Sequence, residues 1–324
     1  MIEHYIKNFS NLHSDTSRSR WTEATKFRAP HKPLLLLSVI DLIAQGIIKT
    51  NFIELTPDLG ELFTIYWTRV MPPDQRSNIV LPFYHLNFDK FWQHVPKPGM
   101  EAVLTATRQI RGVSQLKEIV MGVKLDDDLY ALLCREESRN LLRTVLIENY
   151  FAPELHAGLV EQGVINKEAF QYSQELLEKS RHQYVHEDTD TEIYAQVVRD
   201  QAFRRVIVSV YDHRCAVCGI RMRTPDCHTV VDAAHIVPWS LTRNDTAQNG
   251  MALCRLCHWT FDEGLISVSG TYAVLVSKQL SSNNNIPSHM MTLAGRGIIG
   301  PAEQILWPDM EALQWHNQKV FRKN

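Results

Sequence analysis

Two Cys-x-x-Cys pairs, Cys215/Cys218 and Cys254/Cys257, constrain this chain more than any other feature. Four thiols in two short knuckles favour one tetrahedral metal site that pins the base of whatever lies between them, because thiolates are preferred ligands of Zn²⁺. The same residues admit two other readings. Cys254-Arg-Leu-Cys257-His258 has the spacing of a c-type haem attachment site, and paired cysteines form disulfides in oxidising compartments. Compartment separates the three. The first 15 residues lack the basic end and apolar block of a secretory signal, and no run of 18 apolar residues offers a membrane span. The expectation is therefore a cytoplasmic chain with no membrane association and a structural zinc on Cys215, Cys218, Cys254 and Cys257. Cys134 and Cys227 stand apart.

At 324 residues, 44% hydrophobic and 22% charged, the chain has the composition of a globular protein with room for two cores. A formal net charge of −2 gives no overall field to draw it to nucleic acid, so any such surface must come from local clustering. Helical periodicity is expected over residues 29–46, where Gly46 fits the position after the last turn, and over 56–70, with Thr56 as N-cap and Pro57 in the first turn. Further helices are expected around 114–121, 127–134 and 137–150. The aromatic, proline-interrupted stretch 78–99 reads as short strands or loop. Residues 160 to about 195 are polar, end in an acidic run and read as a connecting region. A helical period resumes over 197–214, a hairpin turns at Ser269-Gly270, a loop follows at 283–285, and "PDMEALQWHNQKVF" closes as a helix. The domain expectation is 1–155, a linker 156–194, and 195–324.

Between and after the knuckles run "VVDAAHIVPWS" and "NGMALCRLCHWTFDEGL", which carry Asp232, His235, Asn249, His258 and Asp262. His258 and Asp262 are four apart, so one face of a short helix presents both, where they can share a cation. The alternating segment around His235 reads as strand. Taken in order, these blocks resemble the HNH endonucleases, a ββα-metal fold with a Cys₄ zinc support. The resemblance covers roughly residues 195–324. It implies an α+β chain in which a helix-rich N-terminal DNA-reading domain precedes a C-terminal ββα-metal nuclease domain.

The resemblance also implies roles. His235 takes a proton from the water that attacks a phosphodiester. Asn249 holds His235 in position. His258 and Asp262 bind a divalent ion, Mg²⁺ or Mn²⁺, that stabilises the leaving oxygen. Many members carry a metal ligand immediately before the base, where this chain has Ala234. Asp232 is the substitute candidate, although strand alternation turns it to the opposite face from His235 unless a bulge intervenes. Cys227 and His228 lack a second pair, and a loop is expected there.

In the N-terminal half, Arg18, Arg20, Lys26, Arg28 and Lys32 stand against Glu23, a local +4. Such a run is equally a solvated face or a phosphate contact. The blocks "HKPLLLL" and "LPFYHLNFDKFW" resemble the sulfur-binding domain of McrA-like type IV restriction endonucleases, over about residues 1–150. This similarity implies double-stranded, phosphorothioate-modified DNA as partner, with His31, Lys32, Leu81, Pro82, Tyr84, His85 and Arg28 at the contact. Sulfur is larger and more weakly hydrated than oxygen, so an apolar cup accepts it at low desolvation cost. A homodimer is expected for double-strand cleavage. The alternatives are a nuclease reading another modification or an unmodified sequence, and a DNA-binding module whose nuclease has decayed.

Overall fold

The first helix, α1 (Ile2–Ser10), sets Tyr5 and Phe9 against a core that the second, α2 (His31–Ala44), fills from within. Every residue of α2 from Lys32 to Ile43 is buried in the computed structural model, as its all-round apolar sequence requires. The structure describes residues 1–110, 112–182, 195–224, 228–281, 285 and 287–323. The acidic run at 187–192, Cys227 and two residues of the loop expected at 283–285 lie outside them. Asp41 is the carboxylate inside α2, and burial obliges it to find partners. It receives hydrogen bonds from Arg143 (2.5 Å), Asn166 (2.7 Å) and Tyr66 (2.8 Å).

The chain divides into two compact units, residues 1–167 with 224–228, and residues 168–223 with 229–324. The architecture is α+β and mostly helical, with three two-stranded antiparallel sheets among the described residues. In the first unit α3 (Pro57–Val70) starts at Thr56, whose hydroxyl accepts from Leu59 N at 3.3 Å. The stretch expected as strand or loop is instead helix α4 (Val80–His85) and a 3₁₀ turn (Leu86–Asp89), followed by strand β1 (Trp92–Pro96). Pro82 falls in the first turn of α4, where a missing N–H leaves no bond unmade. The Asn78 side chain accepts from Val80 N at 3.1 Å and so caps that turn. Then come α5 (Glu101–Ala106) and α6 (Val113–Ile119), before β2 (Val120–Leu125) pairs with β1, Trp92 facing Leu125. Helices α7 (Asp127–Cys134) and α8 (Glu136–Tyr150) complete the core.

Helix α9 (Pro153–His182) occupies most of the region expected as a connection. Its buried stripe includes Leu159, Gln162, Asn166, Ala169, Ser173, Leu176 and Ser180. Polar and small side chains fill helical positions that apolar counting scores as exposed, so the stripe looks thin in sequence.

In the second unit α10 (Gln196–Val210) precedes the first cysteine pair. Strand β3 (Val231–His235), the short helix α11 (Trp239–Thr242), strand β4 (Gly250–Cys254) and helix α12 (Arg255–Asp262) then form a ββα unit. Gly250 faces His235 across the sheet, and a Cβ there would lie 2.7 Å from Phe203 and 2.4 Å from Ile207, so the bare glycine lets α10 close on the hairpin. The hairpin β5 (Ile266–Val268) and β6 (Val274–Val276) and the closing helix α13 (Met310–Lys319) follow as expected. No helix among the described residues is long and apolar enough to cross a membrane.

Candidate functional sites

The two cysteine knuckles converge. Cys215 and Cys218 sit in the turn after α10, closed by Gly219 N to Cys215 O (3.0 Å) and Cys215 N to Ile220 O (2.9 Å). Cys254 ends β4 and caps α12, whose first turn carries Cys257. Ala216 N donates to Ala252 O (2.8 Å), tying the first knuckle to the strand. The four Sγ atoms all lie within 4.8 Å of one another, with Cys218 and Cys254 3.7 Å apart. A thiolate site with metal–sulfur bonds of about 2.3 Å requires sulfurs about 3.8 Å apart. The cluster therefore fits a single metal ion and is no disulfide pair. The same geometry turns Cys254 and Cys257 toward Cys215 and Cys218, which removes them from haem attachment. Hydrogen bonding among the thiols draws Cys254 down and Cys218 to about 7 while pushing Cys215 and Cys257 up, as sulfurs sharing protons must.

His235 lies at the end of β3. Its ring stacks on Phe203 of α10, with centroids 3.8 Å apart and planes 7° from parallel. Its Nε2 is 2.9 Å from Oδ1 of Asp245, a buried carboxylate whose other oxygen accepts from the Tyr172 hydroxyl at 3.3 Å. A carboxylate only accepts, so this contact assigns the ring proton to Nε2 and leaves Nδ1 as the basic nitrogen. Neither Asp245 nor Phe203 was foreseen from the sequence. Asn249 stitches the loop behind His235, accepting from Val237 N and donating to Val237 O and Asn244 O, each at 2.9 Å.

His258 and Asp262 face each other along α12, Nε2 to Oδ2 3.5 Å, on the partly exposed side of the helix. Burial raises the Asp262 carboxyl, partly offset by the neighbouring His258. Two donors this close, one imidazole and one carboxylate, fit a shared divalent cation. Asp232 does not join them. The β3–β4 register runs one-to-one from Val231↔Cys254 to His235↔Gly250, without the bulge that would bring Asp232 to the face of His235. Its carboxylate instead lies 2.9 Å from Arg204 Nε.

In the first unit a groove of about 730 Å³ gathers His31, Lys32, Leu81, Pro82 and His85 with Trp21, Phe88 and His13. Helix α4 presents Leu81, Pro82 and His85, and the start of α2 presents His31 and Lys32. Tyr84 and Arg28 are not brought to the groove lining. Tyr84 is buried, donating to Thr107 O at 2.5 Å, and the Arg28 guanidinium sits over the Tyr150 ring at 5.7 Å. Burial brings His31 down to about 4, so its imidazole is neutral at pH 7. Burial also lowers Lys32, whose ammonium meets Asp89 Oδ2 at 2.5 Å, while Asp89 Oδ1 takes the backbone N–H of His13 at 2.9 Å. Asp89 escaped the sequence reading because no local pattern links it to Lys32. The groove thus sets Trp21, Leu81, Pro82 and Phe88 beside polar groups that include Asp15 and Arg20, and its buried Lys32 already has Asp89 as counter-ion.

Residues 215–269 match the HNH endonuclease family, and residues 8–166 match the ScoMcrA-like DNA sulfur-binding domain. No curated protein matches the chain. A solved modification-dependent TagI restriction endonuclease is similar at 21% identity over 41% of this chain, with a TM-score of 0.29. The match spans 44% of that protein's own length, less than half. The chain carries a ScoMcrA-like DNA sulfur-binding domain followed by an HNH endonuclease domain.

Proposed function

We propose that this protein is a modification-dependent DNA endonuclease that reads phosphorothioated double-stranded DNA through its first unit and hydrolyses phosphodiester bonds with its second. The observation that carries the nuclease half is the imidazole of His235, stacked on Phe203 and held at 2.9 Å by the buried Asp245, at the end of the first strand of the ββα unit. Held this way, Nδ1 of His235 takes a proton from water, and the Asp245 carboxylate stabilises the imidazolium that results. Asn249 keeps the loop closed behind the ring. In this reading Cys215, Cys218, Cys254 and Cys257 hold a structural zinc, and His258 with Asp262 holds Mg²⁺ or Mn²⁺. That divalent ion, when bound, supplies Lewis-acid stabilisation of charge on the phosphate and the leaving 3′-oxygen. The products carry a 5′-phosphate and a 3′-hydroxyl.

The reading of sulfur is supported by the character of the groove. A phosphorothioate sulfur seated against Leu81, Pro82 and the neutral His31 loses little hydration, whereas a phosphate oxygen would forfeit its hydrogen bonds. Lys32, balanced by Asp89, offers a polar edge without an oxyanion trap. Cutting both strands with one such centre per chain calls for two copies acting together on the duplex.

The test is cleavage of plasmid from a phosphorothioating host beside the same plasmid from an ordinary host, with Mn²⁺ added and His235→Ala as control. Cleavage of the modified plasmid alone, abolished in the control, is the expected result. Equal cutting of both plasmids would remove the sulfur reading and keep the nuclease. Binding of modified DNA without cutting would make the chain a reader alone.

A further inference from the structure

We infer that Arg199 and Trp239 form a seat for a non-bridging phosphate oxygen of the cleaved strand, beside the nuclease centre and resting on the nuclease reading above. Arg199 lies on α10 one turn before Phe203, so the two share a helix face with Cβ atoms about 5–6 Å apart. Phe203 carries the His235 ring, and Trp239 follows His235 by four residues. The Arg199 guanidinium stacks over the Trp239 indole at 3.5 Å from the ring centroid. The contact of guanidinium with indole therefore runs alongside that of Phe203 with the imidazole.

Arg199 is only 8% exposed, yet among the described residues it makes no ion pair, and its Nε has no hydrogen-bond partner. Trp239 Nε1 is likewise buried and unpartnered. An unpaired guanidinium inside a protein is costly, and two adjacent orphaned donors compound the cost. Both are N–H groups that only donate, so whatever completes the site must accept, and the cation requires it to be anionic. A phosphodiester oxygen meets both demands. A second guanidinium, that of Arg243, stands 5.6 Å from the same indole and adds to the positive field. On binding, the indole and guanidinium N–H groups converge on phosphate oxygen and strengthen their hold as negative charge grows there during attack.

The test uses the full chain, saturating enzyme and single-turnover cleavage of phosphorothioated duplex, with cut sites mapped first. Trp239→Phe keeps the ring beneath the guanidinium and removes only the N–H, and cleavage slows about tenfold; Arg199→Met slows it roughly 10²–10³-fold. Affinity for the modified duplex, measured in the His235→Ala background, changes less than twofold in both. Methylphosphonates placed singly around the cut remove one phosphate charge at a time. One of them slows the wild-type enzyme while slowing Arg199→Met no further, and its position says whether the scissile phosphate or its neighbour is held. If Arg199→Met melts early by circular dichroism, Arg199→Lys takes its place in the scan. Wild-type rates in Trp239→Phe, or the same methylphosphonate penalties in wild type and the arginine variant, would overturn the seat while leaving the nuclease intact. A wild-type chain that cuts no DNA overturns the underlying reading and the seat with it.

Discussion

Asp245 shows how much of a site one buried carboxylate decides. It fixes which nitrogen of His235 carries the proton, limits the ring to one orientation against Phe203, and is itself oriented by Tyr172. Under the nuclease reading, Asp245→Asn keeps the shape but loses the charge and frees the tautomer. Cleavage in single turnover should fall roughly 10²–10⁴-fold, with binding of modified DNA unchanged. A rate within a few-fold of wild type would show that His235 needs no anchor. His31 offers a test by titration. Its folded pKa of about 4 lies below the ordinary 6.5, so the folded chain binds fewer protons than the unfolded one. Stability from keeping this imidazole neutral is complete above about pH 6.5 and is lost as pH falls through about 4. The His31 ring resonances should therefore move only at acid pH. A midpoint near 6.5 would place the ring in water.

At the scale of elements, α10 is the frame on which the second unit's chemistry hangs, and Gly250 is what lets it sit there. Gly250→Ala drives a methyl into Phe203 and Ile207. Overpacking of this kind costs about 1–3 kcal/mol, and a shift of the Phe203 ring displaces His235 with it. The expected result is cleavage slowed by about tenfold or more, with partial recovery in Gly250→Ala/Ile207→Ala. No recovery would mean the defect lies in the strand. The elements legible in the sequence were those whose signals are local: the apolar run of α2, the Thr56 cap, the alternation of the β5–β6 hairpin, the cysteine spacings. Those misread depended on context. Pro82 disguised the start of α4, although Asn78 stood ready as its cap. Gln162, Asn166 and Ser180 hid the buried face of α9. Among the candidate residues, His235, Asn249 and His258 stand out by motif, while Asp245 and Phe203 beside His235, and separately Asp89 beside Lys32 in the first unit, are brought in by tertiary folding from positions without any pattern.

For the molecule as a whole, two compact units imply, under the proposed function, that reading and cutting are separable in one chain. The four-sulfur cluster belongs entirely to the second unit and ties the turn after α10 to β4 and α12, the elements that carry His258 and Asp262. Because such a site forms only on folding, its binding free energy is folding free energy for the hairpin around it. Under the zinc and nuclease readings, Cys257→Ser should reduce bound zinc from one per chain to none by elemental analysis, abolish cleavage, and lower the melting transition of the second unit. The groove of His31, Lys32, Leu81 and Pro82 lies in the first unit, so affinity for phosphorothioated DNA should stay within about threefold, since no partner of the mark has changed. Simultaneous loss of cleavage and of binding would show that the nuclease unit supplies part of the recognition, and the division of labour between the two would have to be redrawn.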